Sequence, residues 1–393
     1  MEITTGHPEL PSPSCGAFPK TSAAIFGALA FLPPGSLSTL CAADTPVTPA
    51  KLPTTNEEIR RAAANAPLQM LFRGRTADDL AAWQREFSAK LRERIGPHEP
   101  PGKWQARTLS QVELPDHTRE ELLLESEGTP SLPLYVLRPK GAAGKRLPIV
   151  LCLHGHGESG HDAVAGVDDT PELQREIRQF NYDYGRQLAR EGYLAVIPCF
   201  TPFGRRLDAR PPAKTSDPCA VAFVRLMFLG RTLLGENLRD AKWALDYATT
   251  RPDARADRIG CVGLSYGGRM TMVVSALDPR VRVAVISGAL NVFQERIQGA
   301  GYSCGAQVIP GLLEFGDTPE IGSLIAPRPA IWEAGRQDAL MVPGWLEKAA
   351  GRLQAAYAAA GQPENFQVHR FEGGHVWNGE TAIPLLARVL KEP

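Results

Sequence analysis

Gly263-Leu264-Ser265-Tyr266-Gly267 holds a serine between two glycines at the G-x-S-x-G spacing. Such a serine can serve as a nucleophile when it sits on a tight turn between a buried strand and a helix, where small neighbours let the backbone pass closely. Gly301-Tyr302-Ser303-Cys304-Gly305 has the same spacing, so context has to choose between the two. Ser265 follows a mostly apolar, strand-like run at 258–264 and precedes a packed-helix pattern at 267–274. A hydroxyl there would lie beside a helix N-terminus, which favours developing negative charge. Ser303 follows Glu295-Arg296-Ile297-Gln298, no core strand, and Ile309-Pro310-Gly311 soon interrupts any helix, so it reads as a loop residue.

A serine hydroxyl is a poor nucleophile until a base takes its proton. When the nucleophile sits on a strand–elbow–helix turn, the partners follow it in the order acid, then histidine. Downstream of Ser265 stand His369 and His375. His369 lies inside the strand-like run 366–371 and reads as a sheet-face residue. His375 follows Glu372-Gly373-Gly374 just past that run, on a loop able to bring the ring to the serine, and is the candidate base. The acid is expected after the preceding strand, where Arg336-Gln337-Asp338 ends the run beginning at Arg328. Asp338 would fix the imidazole tautomer and stabilise its charged form. Glu333 is the alternative but lies mid-strand and reads as structural, while Asp317 and Glu320 precede the strand.

Acyl chemistry also needs donors for a developing oxyanion. The buried run 147–153 ends in His154-Gly155-His156-Gly157. The backbone N–H groups of His156 and of Tyr266, the residue after the nucleophile, are the expected pair. Loss of one such donor costs on the order of 3 kcal/mol of transition-state stabilisation. A rival reading takes His154, His156, His161 and Asp162 as metal ligands. The run is H-G-H-G-E-S-G-H-D, which departs from the H-x-H-x-D-H of metallo-β-lactamase-like sites, and no further histidine completes a site before His369. No metal is assigned, and His154 reads as a structural residue at a strand end.

These residues need a scaffold. Strand-like runs at 132–137, 147–153, 193–197, 259–264, 281–286, 330–333 and 366–371 alternate with helical patterns at 182–191, 233–249, 268–276 and 343–360. That rhythm predicts an α/β fold with a mostly parallel central sheet covered by helices on both faces, and its chemistry lies beyond the carboxyl ends of the strands. Residues 44–56 read as a Pro/Thr/Ala linker, and 56–95 as helices capped at Asn56 and opened again at Thr76-Ala77-Asp78-Asp79, packing on the main domain. The expected organisation is a leader at 1–43, linker and helical extension at 44–120, and a catalytic domain at 121–393. Long insertions at 157–230 and 290–327 would shape the pocket, with Trp377, beside His375, as a candidate wall residue or a packed aromatic.

The 393 residues are 43% hydrophobic and 22% charged, and Lys plus Arg equals Asp plus Glu at 43 each. That balance leaves no long-range field to gather nucleic acid or an anionic membrane. Residues 23–32, AAIFGALAFL, are too short to span a bilayer. With Lys20 before them, Pro33-Pro34-Gly35 after them and Cys41-Ala42-Ala43 beyond, they have the layout of a secretory signal peptide cleaved near Ala43, which implies a secreted or periplasmic protein. The alternative is a leader of a cytoplasmic protein. Of seven cysteines, five lie past that point. Cys152, Cys199 and Cys261 lie in or beside apolar runs as small buried hydrophobes, whereas Cys219 and Cys304 could pair.

With strand, HGHG turn, GLSYGG elbow, Gln337-Asp338 and GGH in this order, the chain resembles the α/β-hydrolases of the dienelactone-hydrolase and acetyl-xylan-esterase-like group over roughly residues 122–393. Ser265, Asp338 and His375 fall at the matching triad positions. The resemblance implies hydrolysis of carboxylic esters, often acetyl groups on carbohydrate, with no cofactor. Dienelactone hydrolases proper use cysteine where serine stands here. Glucuronoyl esterases resemble the chain less well, because Tyr-Gly-Gly follows Ser265 in place of their Arg-containing elbow. A prolyl-oligopeptidase reading lacks room for an N-terminal propeller. The expectation is a serine esterase for short acyl esters on a small-molecule or carbohydrate substrate. The alternatives are an amidase or peptidase on the same triad, a metal-dependent hydrolase, or a non-catalytic binding protein.

Overall fold

The computed structural model describes residues 52–208, 217–299, 304–341 and 344–392. The leader-like run at 23–32, Ala43 and Ser303 of the second G-x-S-x-G lie outside the described residues.

Two capped helices come first. α1 (Thr55–Ala64) starts at Thr54, whose hydroxyl accepts from the Glu57 N–H while the Glu57 carboxylate accepts from the Thr54 N–H. The cap therefore stands two residues before Asn56, because this Thr-x-x-Glu box satisfies two orphan donors together. α2 (Ala77–Ile95) opens in the same way on Thr76 and Asp79. It buries Leu80, Phe87, Leu91 and Ile95 along one stripe, and Phe87 meets Phe315 at 5.3 Å.

The strands are β1 (Gln105–Glu113), β2 (His117–Ser126), β3 (Thr129–Pro139), β4 (Leu147–Leu153), β5 (Leu194–Pro198), β6 (Ala254–Leu264), β7 (Val281–Ser287), β8 (Ala330–Gly335) and β9 (Phe366–Phe371). They form one sheet in the order β1-β2-β3-β5-β4-β6-β7-β8-β9. Pairing is antiparallel from β1 through β3 to β5 and parallel from β5 to β9. Residues 105–120 thus join the sheet, where linker and helix were expected. β1 is exposed at every position, so no apolar alternation marks it in the sequence.

Parallel strands need cover on both faces. β4 sends Ile149, Leu151 and Leu153 into one core cluster and Val150 and Cys152 into the other. The second cluster is roofed by α3 (Pro171–Phe180) and α4 (Tyr184–Arg190), with Leu386 and Leu390 of the C-terminal helix. On the opposite face lie α2, the helix Leu233–Thr250 and the helix Tyr266–Leu277. In chain order these follow α5 (Pro218–Phe228) as α6 and α7. Between β7 and β8 run α8 (Phe293–Gln298), α9 (Leu312–Phe315) and α10 (Thr318–Ser323). α11 (Trp345–Ala359) and α12 (Ala382–Leu390) complete the fold.

From β4 the chain crosses to β5 on one side and later to β6 on the other, which makes this the point where strand order reverses. The loops after β4, β6, β8 and β9 leave the sheet at one carboxyl edge and carry His156, Ser265, Asp338 and His375. Among the described residues no single helix is long and apolar enough to cross a membrane.

Candidate active site

Ser265 caps α7 at φ 62° and ψ −120°, a left-handed conformation that a side-chain-bearing residue adopts only when its surroundings impose it. The flanking glycines supply the room. A Cβ on Gly267 would stand 1.8 Å from the Leu153 carbonyl oxygen, and one on Gly263 would stand 2.4 Å from the Gly267 carbonyl carbon. The elbow is therefore pressed against the end of β4, and the Ser265 N–H is held by the Ser287 carbonyl at 2.9 Å. Gly155 lets the β4 loop pass over the serine, since a Cβ there would lie 3.2 Å from Ser265 Cβ.

His375 and Asp338 meet on neighbouring loops. The Gln337 N–H donates to the Gly373 carbonyl at 2.9 Å, tying the turn after β8 to the glycine loop after β9. His375 Nδ1 lies 2.7 Å from Asp338 Oδ2. The other carboxylate oxygen accepts from the Leu340 N–H at 2.9 Å, so buried Asp338 has both oxygens occupied. His375 Nε2 is buried and has no hydrogen-bond partner among the described residues. The ring rests on Gly288 (φ +59°), where a Cβ would come within 2.7 Å of His375 Cε1.

Gly288 also lines a cavity of about 160 Å³ with Ser265, Tyr266 and His156. Tyr266 is the first residue of α7, so its N–H has no intrahelical partner. Its hydroxyl accepts from Asn237 Nδ2 at 2.7 Å, and its ring lies 5.1 Å from that of His156 and 5.8 Å from that of Phe203. A larger depression of about 880 Å³ runs along α5 past Pro202, Val221 and Leu226, and it shares no residue with the cavity over Ser265.

The remaining candidates fall into structural places. Trp377 is 1% exposed and packs on Tyr184 at 5.2 Å, so it is a core aromatic and not a pocket wall. Glu333 hydrogen-bonds Ser287 Oγ and the Gly379 N–H, and burial pushes its carboxyl up from the ordinary glutamate range. It joins strands rather than serving His375. His369 sits half-buried on β9. His154 Nε2 accepts from the Phe200 N–H at 2.8 Å, its Nδ1 lies 2.8 Å from the Gly155 carbonyl, and burial pushes its pKa down to about 4. His161 stacks on Tyr135 at 4.6 Å, and burial lowers it strongly too. His161 Nδ1 lies 3.4 Å from Asp162 Oδ1, and among the described residues no third His, Cys or acidic side chain closes on that pair. Burial likewise raises the thiols of Cys152, of Cys199 to about 11 and of Cys261 to about 12, in keeping with small buried hydrophobes.

The sequence did not single out Arg269. It lies four residues past Ser265, one helical turn down α7, and is 2% exposed while lining the cavity. Its guanidinium hydrogen-bonds Asn291 and lies 4.9 Å over the Phe293 ring, and burial lowers its pKa to about 9. Read from sequence alone, it belongs to a packed-helix pattern; only its turn spacing from the serine could have flagged it. Cys219 and Cys304 are free thiols, and with His156 they form a group whose ligand atoms all lie within 4.8 Å of one another.

Residues 63–375 match the profile of the Abhydrolase family. The protein YtaP of Bacillus subtilis (strain 168), which carries a provisional hydrolase name, is 30% identical over 287 residues, 70% of this chain and 87% of YtaP. Among solved structures, a Bacteroides fragilis NCTC 9343 protein provisionally titled an acetyl xylan esterase superposes with a TM-score of 0.71 at 19% identity, covering 86% of this chain and 96% of its own. The glucuronoyl esterase from Solibacter usitatus superposes with a TM-score of 0.59 at 15% identity, covering 82% and 96%. At these identities the structural likenesses speak for the fold.

Proposed function

We propose, from the premise that this chain belongs to the Abhydrolase family, that it is a serine-dependent carboxylic ester hydrolase acting on short acyl esters of carbohydrate through an acyl-enzyme. One observation carries the reading. A serine held at φ 62° stands at the same sheet edge as a histidine whose Nδ1 is fixed 2.7 Å from a buried carboxylate and whose Nε2 has no partner among the described residues. It is the place of that nitrogen at the serine's sheet edge that counts, since His117 also pairs Nδ1 with a carboxylate, Asp116 at 2.7 Å, and leaves Nε2 without a partner among the described residues, but stands at the opposite end of the sheet.

In this reading Ser265 Oγ attacks the ester carbonyl while His375 Nε2 takes its proton, and Asp338 stabilises the imidazolium through Nδ1–H. The backbone N–H groups of Tyr266 and His156 meet the oxyanion of the tetrahedral intermediate. Collapse breaks the bond to the alcohol oxygen, which leaves with the proton from His375. Water, deprotonated by His375, then attacks the acyl-serine and returns the enzyme with a free carboxylic acid. The cavity of about 160 Å³ is below the roughly 300–1,000 Å³ of sites that engulf drug-sized ligands, which supports a small acyl group. The acetyl xylan esterase name of the Bacteroides fragilis structure supports carbohydrate as the alcohol side.

The test is hydrolysis of p-nitrophenyl acetate, butyrate and octanoate by the protein and by Ser265→Ala. Acetate cleavage that exceeds octanoate cleavage and vanishes in the variant is expected, with acetylated glycans as the next substrates. Equal cleavage by the variant, or none by the wild type, overturns the reading.

A further inference from the structure

Three segments far apart in sequence converge at one corner of the Ser265 cavity. The β4 loop brings His156, the start of α5 brings Cys219, and the approach to the 3-10 turn Gly305–Gln307 brings Cys304. Close packing fixes the approach of the last two, for a Cβ on Gly305 would stand 2.5 Å from Phe223 Cβ on α5. Both cysteines are 3% exposed and free, whereas His156 reaches solvent. The His156 ring lies edge-on to Phe203 at 5.4 Å and against Tyr266 at 5.1 Å.

We propose that His156, Cys219 and Cys304 form a zinc-binding site whose fourth coordination position opens into the cavity over Ser265. One imidazole nitrogen and two sulfurs are the donors that a tetrahedral d¹⁰ ion prefers. The three ligand atoms lie within 4.8 Å of one another. Zinc with bonds of about 2.0–2.3 Å sets such atoms about 3.5–3.8 Å apart, so closure asks for shifts of about an ångström in side chains. The Ala306 N–H already points at Cys304 Sγ, 3.4 Å away, and stabilises that sulfur as a thiolate. Binding forms two Zn–S bonds and one Zn–N bond, releases to solvent the protons the sulfurs carry, and moves no electrons.

The site has a consequence for the reaction. His156 and Cys304 line the same cavity as Ser265 and Tyr266, so an ion held there, with its water or anion, occupies the space where the ester carbonyl must sit. Zinc is therefore an inhibitor that chelation removes. The ion site stands independently of the proposed esterase function; only the inhibition readout uses it.

The test uses the full chain, reduced with a phosphine and freed of metal. Calorimetric titration with zinc is expected to show one ion per chain, and cobalt(II) is expected to give a thiolate-to-metal charge-transfer band. Cys219→Ala and Cys304→Ala should each weaken zinc binding by on the order of 100-fold or more and remove intensity from that band, since loss of a mere supporting residue costs about 10–100-fold. Ser265→Ala should bind zinc as the wild type does, which separates the site from the nucleophile. Ester hydrolysis by the wild type should fall with zinc occupancy and return with chelator, while the double cysteine variant should not respond to zinc. The cobalt band of the wild type tests sulfur ligation even if a cysteine variant folds poorly. Zinc binding that is equal in the wild type and the double variant, or a Cys219–Cys304 disulfide found by mass mapping of the unreduced protein, overturns the proposal.

Discussion

His154 and His375 stand beyond the carboxyl ends of strands in the same sheet, yet their rings are held in opposite ways. Both nitrogens of His154 meet backbone, Nε2 accepting from the Phe200 N–H and Nδ1 facing the Gly155 carbonyl, and the ring is fully buried. His375 has one nitrogen fixed by Asp338 and the other without a partner among the described residues, with its side chain 23% exposed. The first arrangement uses imidazole as a rigid bridge between β4 and the loop after β5. In the proposed mechanism the second holds one nitrogen so that the other can exchange a proton. What separates these two rings is the second nitrogen together with its place at the Ser265 edge, since His117 on β2 has the same Nδ1–carboxylate pair and unpartnered Nε2 at the other end of the sheet.

That contrast can be broken in order of size. Ser265→Ala and His375→Ala are expected to lower kcat for p-nitrophenyl acetate by on the order of 10⁵–10⁶, with melting temperatures near that of the wild type. Asp338→Asn, which keeps the shape but frees the tautomer, is expected to cost on the order of 10⁴ in kcat. His154→Leu should act on stability instead. It leaves the buried Phe200 N–H unpaired at about 1–3 kcal/mol, read in a denaturant titration, and its effect on kcat should be far smaller than that of His375→Ala. A His154→Leu protein that folds as stably as the wild type but loses kcat would erase the distinction.

The last effect is on pH. Burial holds His154 near 4, below the ordinary 6.5, so the unfolded chain binds a proton that the folded chain refuses. Stability is therefore full above pH 6.5 and is lost as pH falls toward 4, by about 3 kcal/mol at most from this residue. His161, lowered by burial in the same way, adds to the loss. Unfolding titrations between pH 4 and 7 should show that slope in the wild type and a flatter one in the His154→Leu/His161→Leu double variant.

Much of the site is legible in the sequence because its chemistry is punctuated by glycine. Gly263 and Gly267 mark the elbow and Gly155 the loop above it, each where a Cβ would run into neighbouring backbone, while Gly373 and Gly374 mark the turn before His375 and crowd Gly335 with their carbonyls. The seven strands read from apolar runs are all present, with 147–153 and 366–371 matching to the residue. β1 and β2 escaped because an antiparallel extension with one strand wholly exposed needs no buried run. Arg269 and the group of His156, Cys219 and Cys304 escaped for another reason. Their meaning lies in contacts between segments distant in sequence, for which no spacing rule exists. Trp377 shows the converse: two residues past His375 it turns into the core, its N–H donating to the Phe180 carbonyl at 3.0 Å and its ring packed on Tyr184, which nearness along the chain could not show.

The most direct test of the central claim is covalent labelling with a fluorophosphonate, followed by intact-mass and peptide-mass analysis. The account predicts one adduct per chain, on Ser265, absent from Ser265→Ala and slowed in His375→Ala. An adduct on another residue, or equal labelling of Ser265→Ala, would contradict it.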